Sequence, residues 1–303
     1  MSKLWKFSKM HGAGNDFVVL DGVRATLDIT PARIRALANR HMGIGADQVL
    51  VVEPASRADA DFRYRIFNAD GSEVEHCGNG ARCFVRYVHE HGLSTRNPLR
   101  AEISTGVILL EEDADGEVTV NMGVTSFLPG SLPFDASGLA SRQQGADTQW
   151  QLPVSGTQGL PDDWQRPWLS VVSVSNPHTV LRVDDVESAP VAQLGPLLES
   201  HPRFARRVNV GFLQVLGPHD ARLRVYERGA GETLACGSGA CAAAVTGIRQ
   251  GDLVSPVHVQ TRGGTLTIAW DGQQLRMTGP AVTVYHGEID IDRLVSQQRP
   301  IHF

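Results

Sequence analysis

Residues Tyr64–Ala81, YRIFNADGSEVEHCGNGA, align without a gap with Leu223–Ala240, LRVYERGAGETLACGSGA, an offset of 159 residues from Cys77 to Cys236. Upstream polar marks repeat at nearly the same spacing. Asn15 pairs with Asn176, and Gln48 in ADQVLVV pairs with Asn209 in RVNVGFLQV, each 161 apart, so a two-residue indel joins the two registers. Self-similarity on this scale marks a duplicated supersecondary unit. It predicts two like domains, each ending in the same thiol turn.

The rest of the composition fits that frame. With 303 residues and 42% hydrophobic content the chain can bury a sizeable core. A formal net charge of -5 gives no electrostatic footprint for nucleic acid or an anionic membrane. MSKLWKFSKM leads into HGAGND rather than an apolar signal core, and no apolar run reaches spanning length, so a cytoplasmic protein is expected. Four cysteines are too few for a disulfide scaffold in a chain this long. Lys3, Lys6 and Lys9 are the only lysines, which leaves pyridoxal phosphate no lysine to anchor it deep in a pocket.

Short strand-like runs (FVVLDG, QVLVVE, FRYRIFN, AEIST, EVTVNMG) alternate with two helices predicted after the glycine-rich thiol segments. The second, GSGACAAAVTGIRQG, is apolar nearly all round from Ala240 to Ile248 and should be buried. The first carries Arg82, Arg86 and His89 and should be only partly enclosed. Gly92 and Gly251 are placed as C-caps. The stretch from Asp135 to Arg166, rich in Gly, Ser, Gln and Pro, reads as a loop or linker.

These helices place Cys77 and Cys236 at helix N-termini, where unpaired N–H groups and the positive end of the macrodipole favour an anion. A thiol there is expected below its usual pKa of about 8.5. The same N–H groups, left uncovered by Gly78, Gly80, Gly237 and Gly239, also suit a substrate carboxylate. If the repeats face each other, a carbon between them meets a thiolate on one face and a thiol on the other. A proton leaves one side and another returns to the opposite side, inverting the centre. Cys83 and Cys241 lie inside the helices and read as inert, buried small hydrophobes.

Two other chemistries compete for the same residues. His76, Cys77 and Cys83 offer metal ligands, but there is no C-x-x-C pair and Ala235 stands where His76 stands in the first repeat. A redox dithiol lacks a thioredoxin-type partner two residues on. GAGND lacks the G-x-G-x-x-G spacing of a dinucleotide loop and reads as a turn presenting Asn15. His178 in NPH, taken alone, is more often a surface or satisfied core histidine than an acid or base.

MHGAGNDFVVLD, GIGADQVLVV, FNADGSEVEHCGNGARC, SNPH, VNVGF, YERGAGETLACGSGACA and GPAVTVYHG follow one another across nearly the whole chain. In this order they resemble the motifs of the diaminopimelate epimerase family. The resemblance implies a pyridoxal-independent epimerase that interconverts LL- and meso-diaminopimelate and uses neither metal nor organic cofactor. It implies Cys77 and Cys236 as the catalytic thiols, and substrate contacts from Asn15, Gln48, Asn68, Gly78, Asn79, Asn176, Asn209, Glu227, Arg228, Gly237 and Ser238. Amides, one arginine and one acid suit a zwitterion with two amino acid ends. His178 and Glu227 match residues that adjust the thiol pKa values, and Tyr285 one at a homodimer contact. A proline or hydroxyproline epimerase of the same superfamily is the alternative, and it has no need of the distal set Asn68, Asn176, Asn209 and Arg228.

The fold implied is α+β. Two pseudo-symmetric domains arise from the duplication, each a curved, mostly antiparallel sheet around a central buried helix, with the active site in the cleft between them. The expected domains are 1–127 with 280–303, and 128–279. Three features depart from the family pattern: His76 where glutamine is usual, Ser238 in place of threonine, and a longer Asp135 to Arg166 region.

Overall fold

The computed structural model describes residues 4–74 and 78–298. The chain divides into two compact units, Met1–Val120 with Gly279–Phe303, and Asn121–Thr278. Both are sheets with few helices, the expected α+β class. Among the described residues no helix is long and apolar enough to cross a membrane.

In the first unit, strand Leu4–Gly12 lies between Asn15–Asp21 and Val282–Asp290, antiparallel to both. Asn15–Asp21 then runs parallel to Gln48–Pro54, which pairs antiparallel with Phe62–Asn68. That strand is parallel to Leu99–Ile103, which pairs antiparallel with Gly106–Glu112. Successive side chains of a strand point to opposite faces. Val18, Leu20, Val49 and Val51 accordingly join Ile34 and Leu37 of helix Pro31–Ala38 in one core cluster. The intervening Phe17, Val19, Leu50 and Val52 are also fully buried, on the other face, which packs against helix Gly78–Glu90.

The second unit repeats this order. Trp168–Ser173 pairs antiparallel with Pro177–Arg182, which runs parallel to Asn209–Gly217, itself antiparallel to Asp220–Glu227. Asp220–Glu227 runs parallel to Val257–Thr261, followed antiparallel by Gly264–Trp270. The duplication survives residue by residue. Phe17 faces Gln48 in the first parallel pair, and His178 faces Asn209 in the second. Gly14, with φ of 84°, and Ser175, with φ of 63°, turn the chain just before Asn15 and Asn176.

Helix Gly237–Gln250 packs against seven of the described strands of its unit, and Ala240 to Val245 are wholly buried. Alanine suits this place because it is the best helix former and lets strands approach closely. Its C-cap, Gly251, adopts φ of 83° and donates to the carbonyls of Gly247 and Ile248. Gly92, φ 61°, follows the first helix. That helix was expected to be only partly enclosed, and Arg86 and His89 are indeed half-buried, but Arg82 is fully buried. Its Nε donates to the Pro280 carbonyl at 3.1 Å and its Nη2 to Asn79 Oδ1 at 2.8 Å, so the buried charge has partners of fixed geometry.

The stretch expected to be loop is also corrected in part. Ser141–Gln144 and Asp147–Gln151 form a hairpin that adds to the free edge of Trp168–Ser173. In the first unit the equivalent edge, on Leu4–Gly12, is covered by Val282–Asp290. The hairpin escapes hydropathy patterning because its inward residues are polar and paired. Asp147 Oδ2 accepts from Ser170 Oγ at 2.5 Å and Gln250 Nε2 at 3.1 Å, while Gln149 Oε1 accepts from Arg142 Nε at 2.7 Å. Burial pushes the Asp147 carboxyl above its ordinary pKa.

The hairpin turn clamps the end of the central helix. The Ala146 N–H donates to the Arg249 carbonyl at 2.7 Å, and the Arg249 guanidinium donates back to the Ala146 carbonyl. Gly145, φ 57°, makes that approach possible: a Cβ there would stand 2.5 Å from the Arg249 carbonyl oxygen and 2.8 Å from that of Gln250. Gly145→Ala should therefore cost about 2–4 kcal/mol, read as a lower urea midpoint at unchanged m-value. A loss below about 0.5 kcal/mol would refute the clamp.

Candidate functional site

Cys236 is the N-cap of helix Gly237–Gln250, with extended φ and ψ of -120° and 112°. Its Sγ accepts from the Gly239 N–H at 3.3 Å and lies 3.6 Å from Ser238 Oγ. Space at 239 is tight, since a Cβ there would come within 3.2 Å of the sulfur and 3.0 Å of Val225. The thiol thus sits where the repeat places it. Its acidity does not follow the expectation for a helix N-terminus. Burial pushes the Cys236 pKa well above the ordinary thiol value and the nearby Glu227 charge adds to this, while Ser238 and the Gly239 N–H pull the other way. Desolvation of the thiolate outweighs the helix end.

The second unit gathers the other residues expected on that side. Asn176, presented by the Ser175 turn, donates from Nδ2 to Ser238 Oγ at 3.3 Å. His178 Nε2 lies 2.8 Å from Asn176 Oδ1 and 3.1 Å from Ser238 Oγ. Burial, helped by the Arg228 charge, lowers the His178 pKa to about 3, so the ring is neutral at physiological pH. Glu227 Oε1 accepts from Thr233 Oγ1 at 2.5 Å. Asn209 is committed to the backbone: its Nδ2 donates to the Pro177 carbonyl at 3.1 Å and its Oδ1 accepts from the Arg228 N–H at 2.9 Å. The Arg228 side chain is exposed and donates to the Arg206 carbonyl.

The first unit makes two groups. Asn15 Nδ2 donates to Asp47 Oδ2 at 2.9 Å, and its Oδ1 accepts from Asn79 Nδ2 at 3.4 Å. Asn79 is itself nearly buried at the start of helix Gly78–Glu90, held by Arg82. Gln48 and Asn68 face each other across an antiparallel pair, with Gln48 Nε2 donating to Asn68 Oδ1 at 3.0 Å. Lys9 bonds Asp16 and the Gly45 carbonyl beside this site. Although burial opposes it, hydrogen bonds from Arg40 and Lys9 hold the Asp16 carboxyl below its ordinary range. Cys77 and His76 lie outside the described residues. Tyr285 stands apart, 45% exposed on strand Val282–Asp290, its ring edge-on to Phe7.

Four supporting residues escaped the sequence reading: Arg82, Asp47, Thr233 and Gly239 as the sulfur's backbone donor. Arg82 was detectable, because an arginine three residues after Asn79 on the same helix shares a face with it. Thr233 and Asp47 act through pairings that no local motif encodes.

The family model for diaminopimelate epimerase matches residues 7–128 and 170–284. The gap, 129–169, contains the hairpin. A diaminopimelate epimerase of Cupriavidus taiwanensis is 59% identical over 291 residues, covering 95% of this chain and 98% of its own. One from Paraburkholderia xenovorans is 57% identical over 290 residues, covering 94% and 98%. Solved structures share the fold at low identity. A phenazine biosynthesis protein of the PhzF family from Bacillus anthracis superposes with TM-score 0.63 at 17% identity, over 95% of this chain and 99% of that one. A hydroxyproline epimerase from Agrobacterium vitis gives TM-score 0.61 at 16% identity, over 96% and 94%.

Proposed function

The chain belongs to the diaminopimelate epimerase family, and from that premise we propose that it is a pyridoxal-independent isomerase interconverting LL- and meso-diaminopimelate, a step toward lysine and peptidoglycan precursors. Cys77 and Cys236 carry the proton transfers. One, as thiolate, takes the α-proton and becomes a thiol; the other, as thiol, delivers its proton to the opposite face and becomes a thiolate, and the roles exchange with direction. The observation that carries this reading is Cys236 itself, a buried N-cap thiol whose sulfur meets a backbone N–H and a hydroxyl.

The remaining roles follow from chemistry. The reacting carboxylate is held by N–H groups at Gly78, Asn79, Gly237 and Ser238, as helix N-termini hold anions. The distal amino acid end is recognised by Asn68, Asn176, Asn209 and Arg228; Asn15, Gln48 and Glu227 make further substrate contacts, and Glu227 with His178 adjusts the thiols. The two compact units serve as the functional domains. A homodimer forms through strand Val282–Asp290, where Val282, Val284 and Tyr285 are 41%, 56% and 45% exposed, an edge that needs covering. The enzyme works in the cytoplasm. Its test is a comparison of substrates without added pyridoxal phosphate: conversion of LL-diaminopimelate to the meso form is expected. Turnover of L-proline with none of diaminopimelate would overturn the assignment.

A further inference from the structure

Ser238, at the second position of helix Gly237–Gln250, has one polar group besides the backbone, a hydroxyl. That hydroxyl has three neighbours among the described residues: Asn176 Nδ2 at 3.3 Å, His178 Nε2 at 3.1 Å and Cys236 Sγ at 3.6 Å. Counting protons decides its direction. Asn176 Oδ1, 2.8 Å from His178 Nε2, can only accept, so the proton of the ring is on Nε2. That proton is committed to Asn176 Oδ1, so neither Nε2 nor the Asn176 amide nitrogen has a lone pair with which to accept from Ser238 Oγ. The hydroxyl accepts from the Asn176 amide N–H, and its single proton is left for the sulfur.

We propose that Asn176 and His178 fix the Ser238 hydroxyl as a donor to the Cys236 sulfur, forming with the Gly239 N–H a two-donor cradle that stabilises the thiolate. Ser238 acts on the sulfur directly; Asn176 and His178 are positioning residues that act through it. The inference rests on the reading of Cys236 as a proton-transferring thiol. The cradle works against burial and against the carboxylate of Glu227, on strand Asp220–Glu227. His178, on strand Pro177–Arg182, is a further titratable group at this face among the described residues, and being neutral it contributes orientation rather than charge. Arg228, the nearby fixed cation, helps keep it so.

The rate at which iodoacetamide alkylates Cys236, followed across pH by mass spectrometry of the peptide that contains it, tests this on the full chain without substrate. In Ser238→Ala the profile should move to higher pH, with alkylation slowed roughly tenfold below the midpoint, as expected for loss of one hydrogen bond to a charged group. Ser238→Thr should restore the wild-type profile. A Ser238→Ala profile equal to wild type, or a Thr variant that behaves like Ala, would overturn the proposal, and circular dichroism establishes that each variant is folded. The two readings fail separately. A shifted alkylation profile with unchanged turnover would refute the catalytic role of Cys236 and leave the hydroxyl's direction standing; an unshifted profile with normal epimerisation would do the reverse.

Discussion

Cys236→Ala is expected to lower epimerisation of diaminopimelate by about 10²–10⁴-fold or more, with folding stability changed by no more than about 1 kcal/mol. The separation of the two effects is the point. The sulfur is buried, and among the described residues it meets the Gly239 N–H, the Ser238 hydroxyl and the field of Glu227, so its removal leaves a small space and relieves a group that burial disfavours ionising. The helix behind it is held by Ala240 to Val245 in the core and by the hairpin at its other end, none of which touches the thiol's proton. Cys77→Ala should cause a loss of the same order, because each direction of the reaction needs both an acceptor and a donor. Chiral chromatography of the product and urea unfolding measure the two quantities. Retention of most turnover in either variant would sink the two-thiol mechanism.

The second large effect is a loss of stability in acid that tracks His178. Its ring is buried and its pKa falls from 6.5 to about 3 on folding. Above 6.5 neither state holds the proton, so the neutral ring contributes its full stability. Between 6.5 and 3 the unfolded chain binds a proton that the folded one refuses, and stability declines as pH falls, by up to about 1.4 kcal/mol per unit. Other groups titrate in the same window, so the comparison with His178→Gln isolates the term: unfolding free energies of wild type should drop more steeply than those of the variant, by about 1 kcal/mol per pH unit. Parallel pH dependences would show that the ring is accessible to solvent protons in the folded state.

The duplicated architecture was legible because the repeat is written in elements that cannot shift independently. A strand displaced by one residue turns its buried side out, so matching offsets in FVVL, QVLVV and the thiol helix constrain both sheets. The parallel pairing of Phe17 with Gln48 and of His178 with Asn209 is the structural form of that spacing. Three things were hidden for one reason, that they depend on partners distant in sequence. Hairpin 141–151 looked like a linker because Asp147 and Gln149 are polar, and only Ser170, Gln250 and Arg142 make their burial tolerable. Arg82 made its helix read as only partly enclosed, and the Pro280 carbonyl that makes its burial tolerable lies 198 residues away in sequence. The direction of the Cys236 pKa could not be read from a helix N-terminus alone, since burial and Glu227, supplied by a neighbouring strand, outweigh it.

Deuterium incorporation into LL-diaminopimelate during turnover in deuterated water, with no pyridoxal phosphate added, distinguishes two-thiol inversion from its alternatives. A meso product carrying one deuterium at the inverted α-carbon is expected without cofactor, and its formation should slow in Cys236→Ala by the same factor, about 10²–10⁴-fold or more. Inversion with the original hydrogen retained, or a strict requirement for added pyridoxal phosphate, would contradict two-thiol inversion.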